Sequence, residues 1–505
     1  MNTYEFATYI RDQWHVSPKL TINYGTRWEY YPVPTRSSAA NGPSLEAPNG
    51  LGTTGNGIYF LNMQNETVSV CGAGGIPTNC GISVSHKLFA PSIGIAYRPF
   101  EKFVFRAGYS LSPYQEYMGL PSMQAFPGEM ELDELGPNNY TPAGHLSTGL
   151  PIITPPPSNA SVFPILPNTG NLTGLMTEKN YTRGYYQSYN VTVQRELPFG
   201  ILGSLGYVGT HAVKLQLGFN GGVNLNYGQL GGGNASMPLA NIPDYSTGVS
   251  ALIPWGADKY NSLQALFNKR LSNGLTFQLA YTYSKDIYMA TSRLIPQYLD
   301  ENYYVPSTDR TQHIVLSSTY ELPFGKGKAM LSQGPAAAIA GGWMVNGIFN
   351  HYSGAPFTVS ASSSSCNCPG NSQTANLVLP NVSQVGDGLG GNAYFNPLAY
   401  APVTTVAFGT GGFDQLRGPG SNNADMSIFR SFRLTERFKL QFRVEAMNVT
   451  NTPHFGNPGT NVSNLQLNPD GSVKNLNGFS QITGLNTVSR LIDPRYFRLG
   501  ARITF

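Results

Sequence analysis

Apolar and polar residues alternate with period two along much of this chain. In the segment Arg495–Phe505, Phe497, Leu499, Ala501, Ile503 and Phe505 fall on one face, and Tyr496, Arg498, Gly500, Arg502 and Thr504 on the other. Successive side chains of a strand point to opposite faces, so the pattern predicts a strand with one apolar and one charged side. A strand of a soluble sandwich and a strand of a transmembrane barrel both have this shape. About 9–11 tilted residues cross the hydrocarbon layer, with lipid on the apolar side and water on the other. Whether the pattern repeats separates the two.

It does repeat. Strands are predicted at Tyr4–Val16, Leu20–Tyr31, Pro91–Arg98, Phe103–Ser112, Tyr185–Leu197, Ile201–Gly209, Tyr260–Leu271, Leu275–Lys285, Gln312–Leu322, Trp343–Thr358, Ala424–Leu434, Phe438–Asn448 and the terminal segment. Their connections alternate short and long. Ser17-Pro18-Lys19, Pro198-Phe199-Gly200, Ser272-Asn273-Gly274 and Thr435-Glu436-Arg437 are tight turns, and Asn-Gly is a strong hairpin signal. Pro32–Leu88, Pro113–Gly184, Thr210–Lys259 and Val359–Asn422 are long loops, and Pro323–Gly342 is an exception among the short turns. Short periplasmic turns and long outer loops belong to bacterial barrels, so the four long loops are expected to face the cell exterior. The expected fold is all-β: an antiparallel transmembrane barrel. Single-chain bacterial barrels have an even number of strands, so a count of about thirteen suggests part of a larger one.

Composition agrees. Charged residues make up 11% of the 505 residues, against roughly 25% in ordinary soluble proteins. Aromatics reach 12% and mean hydropathy is −0.19. No apolar run is long enough for a spanning helix. The N-terminal residues lack the basic and apolar regions of a signal peptide, which adds to the expectation of a longer parent. A net charge of +4 argues for no nucleic acid.

Few residues suggest chemistry. No His-x-x-x-His, nucleophile elbow or phosphate loop occurs, so no catalytic residue, metal site or cofactor is expected. In Asp309-Arg310-Thr311-Gln312-His313, Asp309 and His313 could pair, but a polar start to a lumen-facing strand explains them as well. Charges on the polar strand faces are the stronger candidates. Arg27, Glu29, Arg443, Glu445, Arg498 and Arg502 are expected to face the lumen, where charges must be paired or wet. Arg443 and Glu445 are placed to pair with Arg498 or Arg502. Trp28, Tyr30, Tyr281, Tyr283 and Phe438 suit interfacial girdles. Cys71 and Cys80 are the preferred disulfide candidates, ahead of Cys366 and Cys368, whose small ring suggests strain.

Several segments resemble the C-terminal barrel of TonB-dependent outer-membrane transporters of the Oar-like group. They are the stretch Tyr9–Leu20, Gln194–Gly200, Tyr260–Gln264, Tyr281–Lys285, Tyr320–Gly325 and Glu445–Asn451. The resemblance implies a barrel of about 22 strands, preceded by a sandwich and a plug that this chain lacks. It also implies uptake of a large solute, an oligosaccharide among the candidates, energised through the TonB complex. On this reading residues 1–505 are one partial barrel domain of the outer membrane, in contact with lipid. The apolar rail Phe497, Leu499, Ala501, Ile503 and Phe505 would be its signal to the barrel-assembly machinery. A passive porin-like channel and a secreted all-β adhesin or sugar-binding protein are the alternatives.

Overall fold

The computed structural model describes residues 5–32, 83–114, 180–217, 226–238, 250–289, 300–380, 382–485 and 494–505, with short pieces between them. Cys71 and Cys80 lie outside the described residues.

Thirteen antiparallel strands form one continuous sheet in which each strand pairs with the next in sequence. They are β1 (Phe6–Ser17), β2 (Leu20–Tyr30), β3 (Leu88–Tyr97), β4 (Phe103–Pro113), β5 (Tyr185–Leu197), β6 (Ile201–Leu217) and β7 (Ser250–Ser272). The path continues through β8 (Leu275–Met289), β9 (Gln312–Glu321), β10 (Trp343–Tyr352), β11 (Ser421–Arg433), β12 (Lys439–Met447) and β13 (Tyr496–Thr504). β1 and β13 are the two ends of this path. No described helix is long and apolar enough to cross a membrane.

The tight turns explain the neighbour-to-neighbour order. At the β7–β8 turn, Asn273 and Gly274 both take positive φ, 51° and 76°. Two such residues in succession match the twist of a hairpin. The exceptional turn between β9 and β10 contains a short helix, α1 (Gly334–Ala340), with Pro335 in its first turn, where the missing N–H costs nothing.

Pairing register carries the two faces across the sheet. Glu29 stands opposite Leu88 and Arg27 opposite Ala90. Val208 stands opposite Ser262, and Ser262 opposite Ser284. Glu445 stands opposite Arg498 and Gln441 opposite Arg502. The other face pairs Tyr207 with Leu263, Leu263 with Tyr283, and Val444 with Leu499. Its large apolar side chains are open, Leu499 at 72% exposure.

Three segments depart from the sequence reading. β6 and β7 extend well into the expected loop Thr210–Lys259, because backbone ladders continue wherever two strands stay in register, apolar alternation or not. Bulges near Val213 and Leu215 bend this extension. β10 stops at Tyr352 rather than Thr358. Phe357 and Val359 continue the apolar alternation but are buried elsewhere, in a cluster formed by the loops.

That cluster is the molecule's main enclosed core among the described residues. The β10–β11 loop (353–420) and the β12–β13 loop contribute Phe357, Val359, Phe395, Tyr400, Val462, Phe479 and Ile482. Phe395 and Phe479 are 2% and 0% exposed and meet edge to face at 5.3 Å. The Ser480 hydroxyl donates to Phe395 O at 2.7 Å and accepts from the N–H groups of Tyr394 and Phe395. These loops therefore fold into a cap with its own packing at the long-loop end of the sheet.

Candidate functional site

The polar face of the sheet and the cap at its end make up the candidate site. At the β2 end, Glu29 is buried, pairs with Arg27, and accepts from the Tyr31 hydroxyl at 2.6 Å. Near the other end of the sheet, Arg443 Nη1 lies 3.3 Å from Glu445 Oε1, and Arg498 Nη1 lies 3.9 Å from Glu445 Oε2. Arg443 also donates to Gln441 and covers the Phe429 ring at 5.0 Å. Arg502 shares this face but stands opposite Gln441. Among the described residues it makes no ion pair, so Glu445 joins Arg443 and Arg498 only. Two arginines around one carboxylate, with Arg502 further along the same face, leave this strip positive.

Asp309 and His313 do not form a pair. Asp309 is buried, bonds to Arg417 of the cap, and accepts from the Asp286 N–H at 2.9 Å. His313 stacks on Tyr352 with ring centroids 4.2 Å apart. No group of metal-ligating side chains occurs among the described residues.

Cys366 and Cys368 are bonded, with Cα atoms 5.2 Å apart, and both are buried. This is the less favoured of the two candidate pairs, and the other, Cys71 with Cys80, lies outside the described residues. Between them Asn367 adopts φ 43°, a left-handed conformation that asparagine tolerates, so the small ring can close. The bridged segment docks against residues 226–236. Gly231 N–H donates to Cys366 O at 2.8 Å, Gly233 N–H to Asn367 O at 2.7 Å, and Gly228 N–H to Pro369 O at 2.7 Å.

Sequence reasoning missed Arg293 and Arg417, which fasten the cap. Arg293 is buried and pairs with Glu301. It donates to Thr374 Oγ1 at 2.9 Å and to Gly409 O at 3.3 Å, and lies over the rings of Phe408 and Phe413. Burial pulls its pKa down, and the Glu301 carboxylate opposes that pull. Arg417 donates to Gly354 O at 3.1 Å besides pairing with Asp309. Within the cap, burial raises the pKa of Asp414, while the bond from the Thr358 hydroxyl at 2.7 Å offsets part of the rise. The available signal was scarcity: in a chain with so few charges, an arginine in a polar loop requires a partner.

The family described as outer membrane beta barrel domain matches residues 1–495. No curated protein matches the chain. Among solved structures, the ferripyoverdine receptor of the outer membrane of Pseudomonas aeruginosa is similar at 12% identity and TM-score 0.44, over 99% of this chain and 38% of that one. The ferric-catecholate import receptor Fiu from K12 E. coli gives 12% identity and TM-score 0.40, over 99% and 44%. The outer membrane transporter YddB from Escherichia coli gives 9% and 0.46, over 99% and 45%. The chain thus spans less than half the length of these three proteins.

Proposed function

The chain belongs to the outer membrane beta barrel domain family, and from that premise we propose that it forms part of the wall of an importer that moves a large solute across the membrane with energy delivered through TonB. It is an all-β protein of the bacterial outer membrane, and its family is one of barrels rather than enzymes. The Oar-like resemblance and an oligosaccharide as the solute class are parts of the proposal, carried by the motifs quoted above.

One observation supports the reading best. The face that carries Arg27, Glu29, Arg443, Glu445, Arg498 and Arg502 is continuous in register across thirteen paired strands, and two of the long loops at one end of the sheet pack into a cap. Such a face suits a wet lumen. In the proposed orientation the cap lies outside the cell, and Arg27, Glu29, Arg443, Glu445, Arg498 and Arg502 look into the lumen. The positive strip around Glu445 then offers guanidinium donors to solute hydroxyl or carboxylate groups.

The test is uptake of fluorescent oligosaccharides by cells with and without the gene, before and after a protonophore collapses the proton gradient. We expect deletion and protonophore each to reduce uptake at least several-fold. Uptake that ignores the protonophore points to the passive channel, and uptake unaffected by deletion overturns the transport reading.

We also propose that Phe497, Leu499, Ala501, Ile503 and Phe505 guide assembly. An unpaired strand edge is a template for another chain, and this rail is what an assembly machine would meet. Deleting Phe505 is expected to lower the outer-membrane level while leaving the heat-modifiable gel mobility of folded protein unchanged. A normal level would remove the assembly role.

A further inference from the structure

The lipid-facing side of the sheet carries an unneutralised basic group. On β6, β7 and β8, His211 stands opposite Lys259, and Lys285 opposite Asn261, two residues along β7 from Lys259. Directly opposed residues lie within about 5.5 Å and diagonal ones within about 8 Å, so the three side chains share one small patch. They also share the face of Leu205, Leu263 and Tyr283, all exposed. Lys259 and Lys285 are exposed, and neither makes an ion pair among the described residues. Arg310, just beyond β9, turns its guanidinium to the carbonyls of Ser307 and Asp309, so it adds positive charge nearby and cancels none.

Height along the strands gives the patch its meaning. A tilted strand crosses the hydrocarbon in about 9–11 residues. Lys285 lies about ten residues on from Leu275, and His211 about ten on from Ile201. Lys259, opposite Ile287, is at nearly the same level. The group therefore sits at the boundary beside the long loops. By contrast, Lys269 and Arg430, on the same face toward the short-turn end, are taken up by protein oxygens.

An apolar groove of about 290 Å³ lies just below, lined mainly by Ile93, Tyr109, Tyr189, Val191 and Tyr207. It is continuous with the basic patch: the Tyr207 hydroxyl donates to Asn261 Oδ1 at 2.5 Å, and Asn261 faces Lys285 across the ladder. Like charges placed side by side destabilise a sheet, and the surrounding face is apolar. A ligand that answers both features carries phosphate above and acyl chains below.

We propose that His211, Lys259 and Lys285, with the groove beneath them, dock a lipid whose phosphates carry net negative charge, in the leaflet beside the long loops. The proposal rests on the membrane orientation given above. The lysine ammoniums and the imidazole N–H contact the phosphates, while an acyl chain lies along Tyr189 and Tyr207.

The test uses the chain purified in detergent from outer membranes. Binding of purified lipopolysaccharide is compared with its dephosphorylated form, with phosphatidylcholine micelles and with inorganic phosphate. Wild-type protein should hold the phosphorylated glycolipid at least several-fold more tightly than the other three. The double variant Lys259→Gln, Lys285→Gln should lose that preference, and Lys259→Arg, Lys285→Arg should keep it, which separates charge from a folding defect. Equal binding of the dephosphorylated lipid, or undiminished binding by the glutamine variant, overturns the site. Equally tight binding of inorganic phosphate overturns the assignment to a lipid. Labelling of Asn234→Cys on intact cells with an impermeant maleimide reports the orientation separately. Surface labelling without selective binding removes the lipid site and leaves the orientation standing. Selective binding without surface labelling overturns the orientation and, with it, the assigned leaflet.

Discussion

In the wall, Leu205, Leu263, Leu499 and Ile503 stand open; in the cap, Phe357, Phe395, Phe479 and Ile482 are packed against one another. The same kinds of side chain are handled in opposite ways. The cap buries apolar area inside the protein, as water-soluble domains do, and its stability follows from close packing. The wall has little between its two faces to bury. Backbone ladders hold it, and its apolar surface is matched to lipid. Substitutions that are harmless in one region should therefore be costly in the other.

The largest expected effect is in the cap. Phe395→Ala removes a ring that touches Phe357, Tyr400 and Phe479, and truncating a buried Phe costs about 3–5 kcal/mol. Protease nicking within 353–420 should rise steeply while heat-modifiable mobility of the wall persists. A wall that unfolds together with the cap would merge the two regions into one cooperative unit.

Next in size is a substitution that exposure alone would call harmless. Leu499→Arg changes a side chain that is already open, yet in lipid near the midplane it should cost about 2–4 kcal/mol. Folding into lipid vesicles in urea would measure it. The opposite-face control Arg498→Leu should cost far less. Equal costs would mean that the face of Leu499 is not the lipid face.

The fastening between the regions comes third. Arg293→Met removes charged hydrogen bonds to Thr374 and Gly409, worth roughly 1.5–3 kcal/mol together with the pairing to Glu301. Hydrogen exchange should quicken in residues 371–376 and 407–413 and stay unchanged in β11 to β13. Uniform protection would mean that the cap holds its place without Arg293.

The smallest effect depends on pH. Burial raises the Asp414 pKa above its ordinary value of 3.8, so the folded cap keeps this proton to higher pH than the unfolded chain. Its contribution is complete below 3.8 and is lost as pH rises through the raised value. Cap melting should fall slightly across that window, and Asp414→Asn should flatten the fall. A pH profile unchanged by Asp414→Asn would show that other groups set it.

Thirteen strands and the sidedness of each were legible in the sequence because a strand announces itself within ten residues: Phe497, Leu499 and Ile503 alternate with Arg498 and Arg502 whatever lies elsewhere in the chain. The Asn273-Gly274 turn was legible for the same reason, since positive φ at both positions is a local property. The paired charges on the polar face were partly legible. Residue parity placed Arg443, Glu445, Arg498 and Arg502 on one side, but only the register could decide that Glu445 meets Arg498 while Arg502 meets Gln441.

The cap was not legible. Phe357, Phe395 and Phe479 come from segments far apart in the chain, with no period linking them, and their burial exists only once two loops fold together. Arg293 gave no local sign of Thr374 or Gly409, and His211, Lys259 and Lys285 are three isolated basic residues until the ladder of β6 to β8 aligns them. Local alternation is set by backbone geometry and can be read from neighbours, so the sequence by itself determined the wall. Contacts between distant loops depend on which surfaces meet, so the cap, its fastenings and the basic patch were decided only by the tertiary structure.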